Sequence, residues 1–157
     1  MKKQDKQNYL KQIIVETQKN LSFLKEQEAK AYSLYCQYKE QVEELKKQPH
    51  VERFDRIANK YIDIRKMLRT EYVYSVSPQN VEDLLREQNV YKMQLKRLHS
   101  DKDVKKYIRV LRGKKEIKEL CLFLTKAKYK CEKCLKKAQK KLEKLIKNQT
   151  FETYSFE

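Results

Sequence analysis

Residues 117–147 read IKELCLFLTKAKYKCEKCLKKAQKKLEKLIK. Two patterns run through this stretch. Ile117, Cys121, Leu124, Lys128, Cys131, Leu135, Ala138, Leu142 and Leu145 recur at alternating steps of four and three residues, and eight of the nine are apolar. That spacing keeps one stripe of a helix facing a neighbouring helix, as in a coiled coil. Take Cys121, Lys128, Leu135 and Leu142 as the a positions. The c and f positions from 126 onward are then Lys126, Lys130, Lys133, Lys137, Lys140, Lys144 and Lys147, all seven lysine. The apolar seam and the lysine row lie on opposite faces of one helix, and the row spans about 31 Å at a rise of ~1.5 Å per residue.

A second seam lies near the other end of the chain, in a segment from about Gln4 to Gln48. It comprises Leu10, Ile14, Thr17, Leu21, Leu24, Glu28, Ala31, Tyr35, Tyr38, Val42 and Leu45, nine of eleven apolar. A helix of this length runs to roughly 60 Å. Pro49 ends it, because proline lacks the amide donor and clashes with the preceding turn. The two long seams are suited to packing on each other antiparallel, or to recruiting partner helices. Glu28 and Tyr35 at core positions point to a specific partner rather than a simple zipper.

Between them three shorter helices are expected. Phe54, Ile57, Ala58, Tyr61, Ile64 and Leu68 share one face of a helix from about Pro49 to Tyr72. The uncharged stretch from Tyr72 to Asn80 reads as an extended linker, because its β-branched and aromatic residues disfavour a helix. Ser77-Pro78 then offers a side-chain cap and proline at the first helical position, opening a helix to about His99. Ser100 is placed to cap a fourth helix, with Asp101 and Asp103 in its first turn. Val104, Ile108 and Leu111 form its apolar face, and the only glycine in the chain, Gly113, is expected to end it. The fold class is therefore all-α: an elongated helical bundle with two long coiled-coil-like helices and three shorter ones. Residues 1–76 form a protein-interaction region and 77–148 a basic helical region. The aromatic, acidic segment 149–157 is a candidate docking peptide.

Composition supports this and removes much else. The 157 residues include one Gly, two Pro and no Trp. One glycine leaves no phosphate-binding loop, no dinucleotide fingerprint and little material for hairpin turns. No Ser/His/Asp order or metal-binding carboxylate pair can be assembled, and His50 and His99 fall at helix boundaries, so no enzyme is expected. Cys131-x-x-Cys134 is a lone pair where zinc needs four ligands, and Cys131 is a seam position, so packing is expected and no cofactor or metal. The segment after Met1 has no apolar core of a secretory signal, and no stretch approaches the ~20 apolar residues of a membrane span. An intracellular protein with reduced thiols is expected, the nucleus favoured over the cytoplasm.

Charge is the most informative feature. There are 38 Lys and Arg against 22 Asp and Glu, a net of +16. Residues 101–157 hold 18 basic and 8 acidic residues, so +10 of the excess lies there. A plain solvated face alternates signs, as the first long helix does at Lys25/Glu26 and Lys39/Glu40. The lysine row does not alternate, and a row of like charges calls for a polyanion. Nucleic acid is the leading candidate, DNA favoured over RNA, because lysines contact phosphate without reading sequence. The expected binding residues are Lys105, Lys106, Arg109, Arg112, Lys114, Lys115, Lys118, Lys126, Lys130, Lys133, Lys137, Lys140 and Lys144. Tyr107 and Tyr129 are the tyrosines of the basic third that could stack on unpaired bases.

The order of helices over residues 78–135 is loosely similar to a homeodomain-type helix-turn-helix, whose last helix enters the major groove. The Trp-Phe and Asn-Arg signature of that family is absent, and apolar Cys121 to Leu124 stand where readout residues would be, so no family is assigned. A protein partner is expected through Leu10, Ile14, Leu21, Leu24, Tyr35, Tyr38, Val42 and Leu45, with no membrane and no small-molecule substrate. The expected function is a non-catalytic subunit that binds nucleic acid and positions a partner enzyme or assembly. The alternative is a structural coiled coil of cytoskeleton or cilium meeting acidic tubulin-type surfaces. A bundle binding an acidic protein or an anionic membrane surface ranks third.

Overall fold

A computed structural model describes the backbone of residues 2–70 and 77–155 and the side chains of 2–70 and 77–149. Four helices follow one another: α1 (Lys3–Lys46), α2 (Pro49–Arg69), α3 (Pro78–Leu98) and α4 (Lys102–Ser155). No strand occurs among the described residues, and the fold class is all-α. The expected linker before Ser77 lies outside the described residues, as do the side chains of 150–157.

The expected count is two long and three shorter helices; among the described residues there are two of each. The difference lies at Gly113, which sits inside α4 with no positive φ. The seam does not change phase there. The inward face of early α4 carries Tyr107 and Val110, then half-buried Lys114 and buried Ile117. Those positions keep the three–four rhythm into Cys121, whereas Ile108 and Leu111 only flank the core. Gly113 serves a close approach instead. A Cβ on it would lie 3.0 Å from Tyr38 Cε1 and Cζ and 3.2 Å from Tyr38 Oη. No turn separates a helix ending at 112 from one starting at 114, so the helix-turn-helix arrangement is absent. The backbone of the terminal segment likewise continues α4 to Ser155 rather than leaving the helix at Asn148.

This gives a test whose sign depends on one ring. Glycine to alanine in a helix interior normally gains about 1 kcal/mol. Gly113→Ala is expected to gain nothing, because the half-buried Tyr38 ring must move to admit the methyl group. In a Tyr38→Ala background the same change should recover the full gain. Thermal unfolding of the four proteins in this cycle reads the coupling.

The chain forms two compact units, Met1–Tyr35 with Glu116–Glu157 and Cys36–Lys115. In the second, α1 ends at Lys46 and after two intervening residues Pro49 opens α2, Gln48 being extended with φ −72° and ψ 132°. Val42, Leu45, Val51, Val104, Tyr107 and Val110 form the core of this unit, with Phe54 and Leu98 against it. Tyr107 is 2% exposed and its hydroxyl donates to Asp55 Oδ1 at 2.8 Å. Phe54 stands edge-on to both Tyr107 and His99, at 6.4 and 5.6 Å between ring centres. Ser77 caps α3 as expected, its Oγ accepting from Asn80 N at 3.4 Å. The α4 cap is Asp101 rather than Ser100. Asp101 Oδ1 accepts from Asp103 N at 2.9 Å and Val104 N at 3.1 Å, while Ser100 Oγ donates back to Arg97 O. An ionised carboxylate makes the stronger cap. The Val104 amide, with His50 and Asp103 N–H adding, holds the Asp101 carboxyl below its ordinary range despite partial burial.

The first unit is an antiparallel pair, α1 from Lys3 and α4 from Glu116. Gln7 meets Gln149, Thr17 meets Cys131 and Glu28 meets Lys128, so the numbering falls on one helix as it rises on the other. All eleven expected seam positions of α1 are buried or half-buried, as are all nine of α4, each within its own unit.

Candidate nucleic-acid interface

The lysine row lies in the first unit. Lys126, Lys130, Lys133, Lys137, Lys140, Lys144 and Lys147 are all exposed, and none forms an ion pair with another described residue. Their outward direction follows from the seam, since packing Leu124, Leu135, Leu142 and Leu145 against α1 leaves the c and f positions in water. Two lysines per heptad give one charge per about 5 Å of helix axis. That is shorter than the ~8 Å screening length at physiological ionic strength, so the fields of neighbours add. Lys133 Nζ lies 4.6 Å from the centre of the Tyr129 ring. Tyr129 is 57% exposed, and Phe123, at the c position preceding the row, is 66% exposed.

The other expected basic residues fall into two groups. Lys118, in the same unit, is exposed. Lys105, Lys106, Arg109, Arg112 and Lys115 belong to the second unit and are exposed there. Lys114 differs: it holds a seam position on the unbroken helix and is half-buried. Tyr107 is enclosed in the core of the second unit and presents no ring to a base. Sequence reasoning placed it among the basic residues around it, but the three-step to Val110 marks it as core.

The expected partner-binding residues are spent inside the chain. Leu10, Ile14, Leu21, Leu24 and Tyr35 line the seam of the first unit, and Tyr38, Val42 and Leu45 pack in the second. The two charges within the seams answer each other. Lys128 Nζ donates to Glu28 Oε1 at 2.9 Å, and Thr125 Oγ1 lies 3.0 Å from Glu28 Oε2. The side chains are 26% and 27% exposed. A partly buried pair of this kind contributes more to register than to stability, since any slip leaves both charges unmatched.

Lys128 first, then Thr125, hydrogen-bonds the Glu28 carboxylate and holds its pKa below the ordinary 4.5. Glu28 raises Lys128 above 10.5. A lowered carboxylate pKa stabilises the fold above 4.5, and the contribution is lost as pH falls through the lowered value. A raised lysine pKa stabilises below 10.5, and the contribution is lost as pH rises through the raised value. Glu28→Gln should therefore lower the unfolding midpoint between pH 5 and 10. The difference from the native protein should shrink as pH falls below 4. Thermal melts across that range check it.

Cys131 Sγ donates to Thr17 O at 3.5 Å, which makes it a packed seam thiol; Cys134 is exposed. Among the described residues no three His, Cys, Asp or Glu side chains converge on a point that suits a metal ion, and no helix is long and apolar enough to cross a membrane. No protein-family profile matches the chain, and no curated protein or solved structure is significantly similar to it.

Proposed function

We propose that the chain is a non-catalytic helical subunit that binds nucleic acid, DNA in preference to RNA, along the lysine face of α4, and so positions a protein partner on it. One observation carries this reading: seven exposed lysines follow one another on a single face with no acidic residue between them in the row. Lysine at this density neutralises phosphates and releases their counterions, which favours binding without sequence readout. The exposed cations from Lys105 to Lys115 in the second unit add sites of the same kind. The seams are occupied within the chain, so a partner would take other surfaces, such as those carrying exposed Leu85, Val90 and Met93 of α3. A nuclear location follows from the DNA reading and stands or falls with it.

The deciding experiment is fluorescence anisotropy with labelled oligonucleotides over a salt series. Affinity should fall steeply as salt rises, with a slope near −0.9 per phosphate neutralised on duplex. Absence of binding at 50 mM salt removes this reading. A second reading, a structural coiled coil meeting acidic tails of a filament such as tubulin, is favoured by the strict heptad seams. Co-pelleting with microtubules, lost when their acidic tails are cleaved, would support it.

A further inference from the structure

We infer that the strand accepted by the α4 face is unpaired: it takes single-stranded nucleic acid, with bases stacked on Phe123 and Tyr129. This rests on the nucleic-acid reading above and adds two independent observations to it. The first is the shape of the charge row. Lys126 to Lys147 follow a single helix face for about 31 Å. A duplex turns once in about 34–36 Å, so over that length each strand winds almost all the way round its axis. A rod lying against a duplex therefore meets a given strand for roughly half the row, and about three or four of the seven lysines find phosphates. A flexible single strand can follow the whole row.

The second observation is the placement of the rings. Phe123 continues the c/f row by one step beyond Lys126, and Tyr129 lies between Lys126 and Lys133 at helical neighbour distance from both. Phe123 is 66% exposed and Tyr129 57%, with Lys133 Nζ over one face of the Tyr129 ring. Phe123 contributes little to the packing of the unit. A ring beside a line of phosphate-binding cations gains a contact when a base is free to stack on it, and a paired base is not free. Aromatic rings interleaved with cations bind single strands with little sequence preference, in keeping with a lysine face that reads no bases.

The test compares oligo(dT) of 30 nucleotides with a 30-base-pair duplex on the full chain. The single strand should bind about tenfold tighter or better at 0.1 M salt, with a salt slope near −4 to −5 against about −3 for duplex. Phe123→Ala and Tyr129→Ala should each weaken oligo(dT) binding about fivefold or more without changing the slope or the helical circular dichroism, and leave duplex binding unchanged. The chain has no tryptophan, so Phe123→Trp provides a single indole, and its emission should be quenched when oligo(dT) saturates the protein. Equal or tighter duplex binding overturns the single-strand inference and leaves the nucleic-acid reading standing. So does an indole unquenched at saturation, or alanine variants that bind normally. Failure of both probes to bind at 50 mM salt overturns both.

Discussion

Reversing four charges in the row, Lys130→Glu, Lys133→Glu, Lys137→Glu and Lys140→Glu together, is expected to weaken nucleic-acid binding about a thousandfold at 0.1 M salt. On the single-strand counterion-release slope of about −0.7 per contact each loss is worth a factor of about five at that salt concentration, so four together approach a thousandfold. The four side chains are exposed and none holds an ion pair with a described residue, so the fold loses little. Lysine and glutamate have nearly equal helix propensity. Helical circular dichroism and the unfolding midpoint should therefore stay close to those of the native chain. Lys47, Lys66, Lys92 and Lys96 are also exposed, and reversing them makes the same change in net charge elsewhere. That control should cost tenfold or less. Equal losses in the two variants would mean that total charge, not the row, governs binding.

Tyr107→Ala should remove about 3–5 kcal/mol from the second unit. Tyr107 is 2% exposed at the centre of a small core, with Phe54 edge-on and valines 42, 51, 104 and 110 around it. Small domains carry only about 5–15 kcal/mol in total, so the loss is roughly a third to a half of a mid-range stability. Tyr107→Phe keeps the ring and removes the hydroxyl that Asp55 accepts; a hydrogen bond to a charged group is worth about 1.5–3 kcal/mol. Burial first, then the Asp55 carboxylate, pushes the Tyr107 phenol well above its ordinary range. Its contribution is thus present below pH 10 and lost as pH rises beyond it. Urea unfolding followed by circular dichroism measures both variants, and a cost under 1 kcal/mol for Tyr107→Ala would contradict the core assignment.

The two seams were legible because burial by a neighbouring helix imposes a period of 3.5 residues, and that period is written locally. Every seam position from Leu10 to Leu45 and from Ile117 to Leu145 is covered, wholly or in part. What was not legible depends on contacts distant in the chain. Gly113 looked like a turn because its usual virtue is conformational; its use here is to make room for a ring 75 residues away. On early α4 the apolar spacing of Val104, Ile108 and Leu111 predicts the inward face, but only Val104 of the three lies in the core. The true line through Tyr107, Val110, Lys114 and Ile117 includes a charge. Glu28 and Lys128 each stood out as misfits in an apolar stripe, but their pairing requires a register that neither segment states. Ser100 and Asp101 both qualify as caps by type, and the backbone decides between them. The lysine row was readable to the residue, since an exposed face needs nothing from the rest of the fold.

A seam with a strict seven-residue repeat cannot run straight along an α-helix, which gains about 20° per heptad on it; the pair of helices winds left-handedly to keep the seam inside. The lysine row is tied to that seam and must wind with it. At a supercoil pitch near 150 Å, its 31 Å would sweep through about 75°. The charge line on this protein is thus chiral, and its hand is opposite to that of the right-handed strands of a duplex.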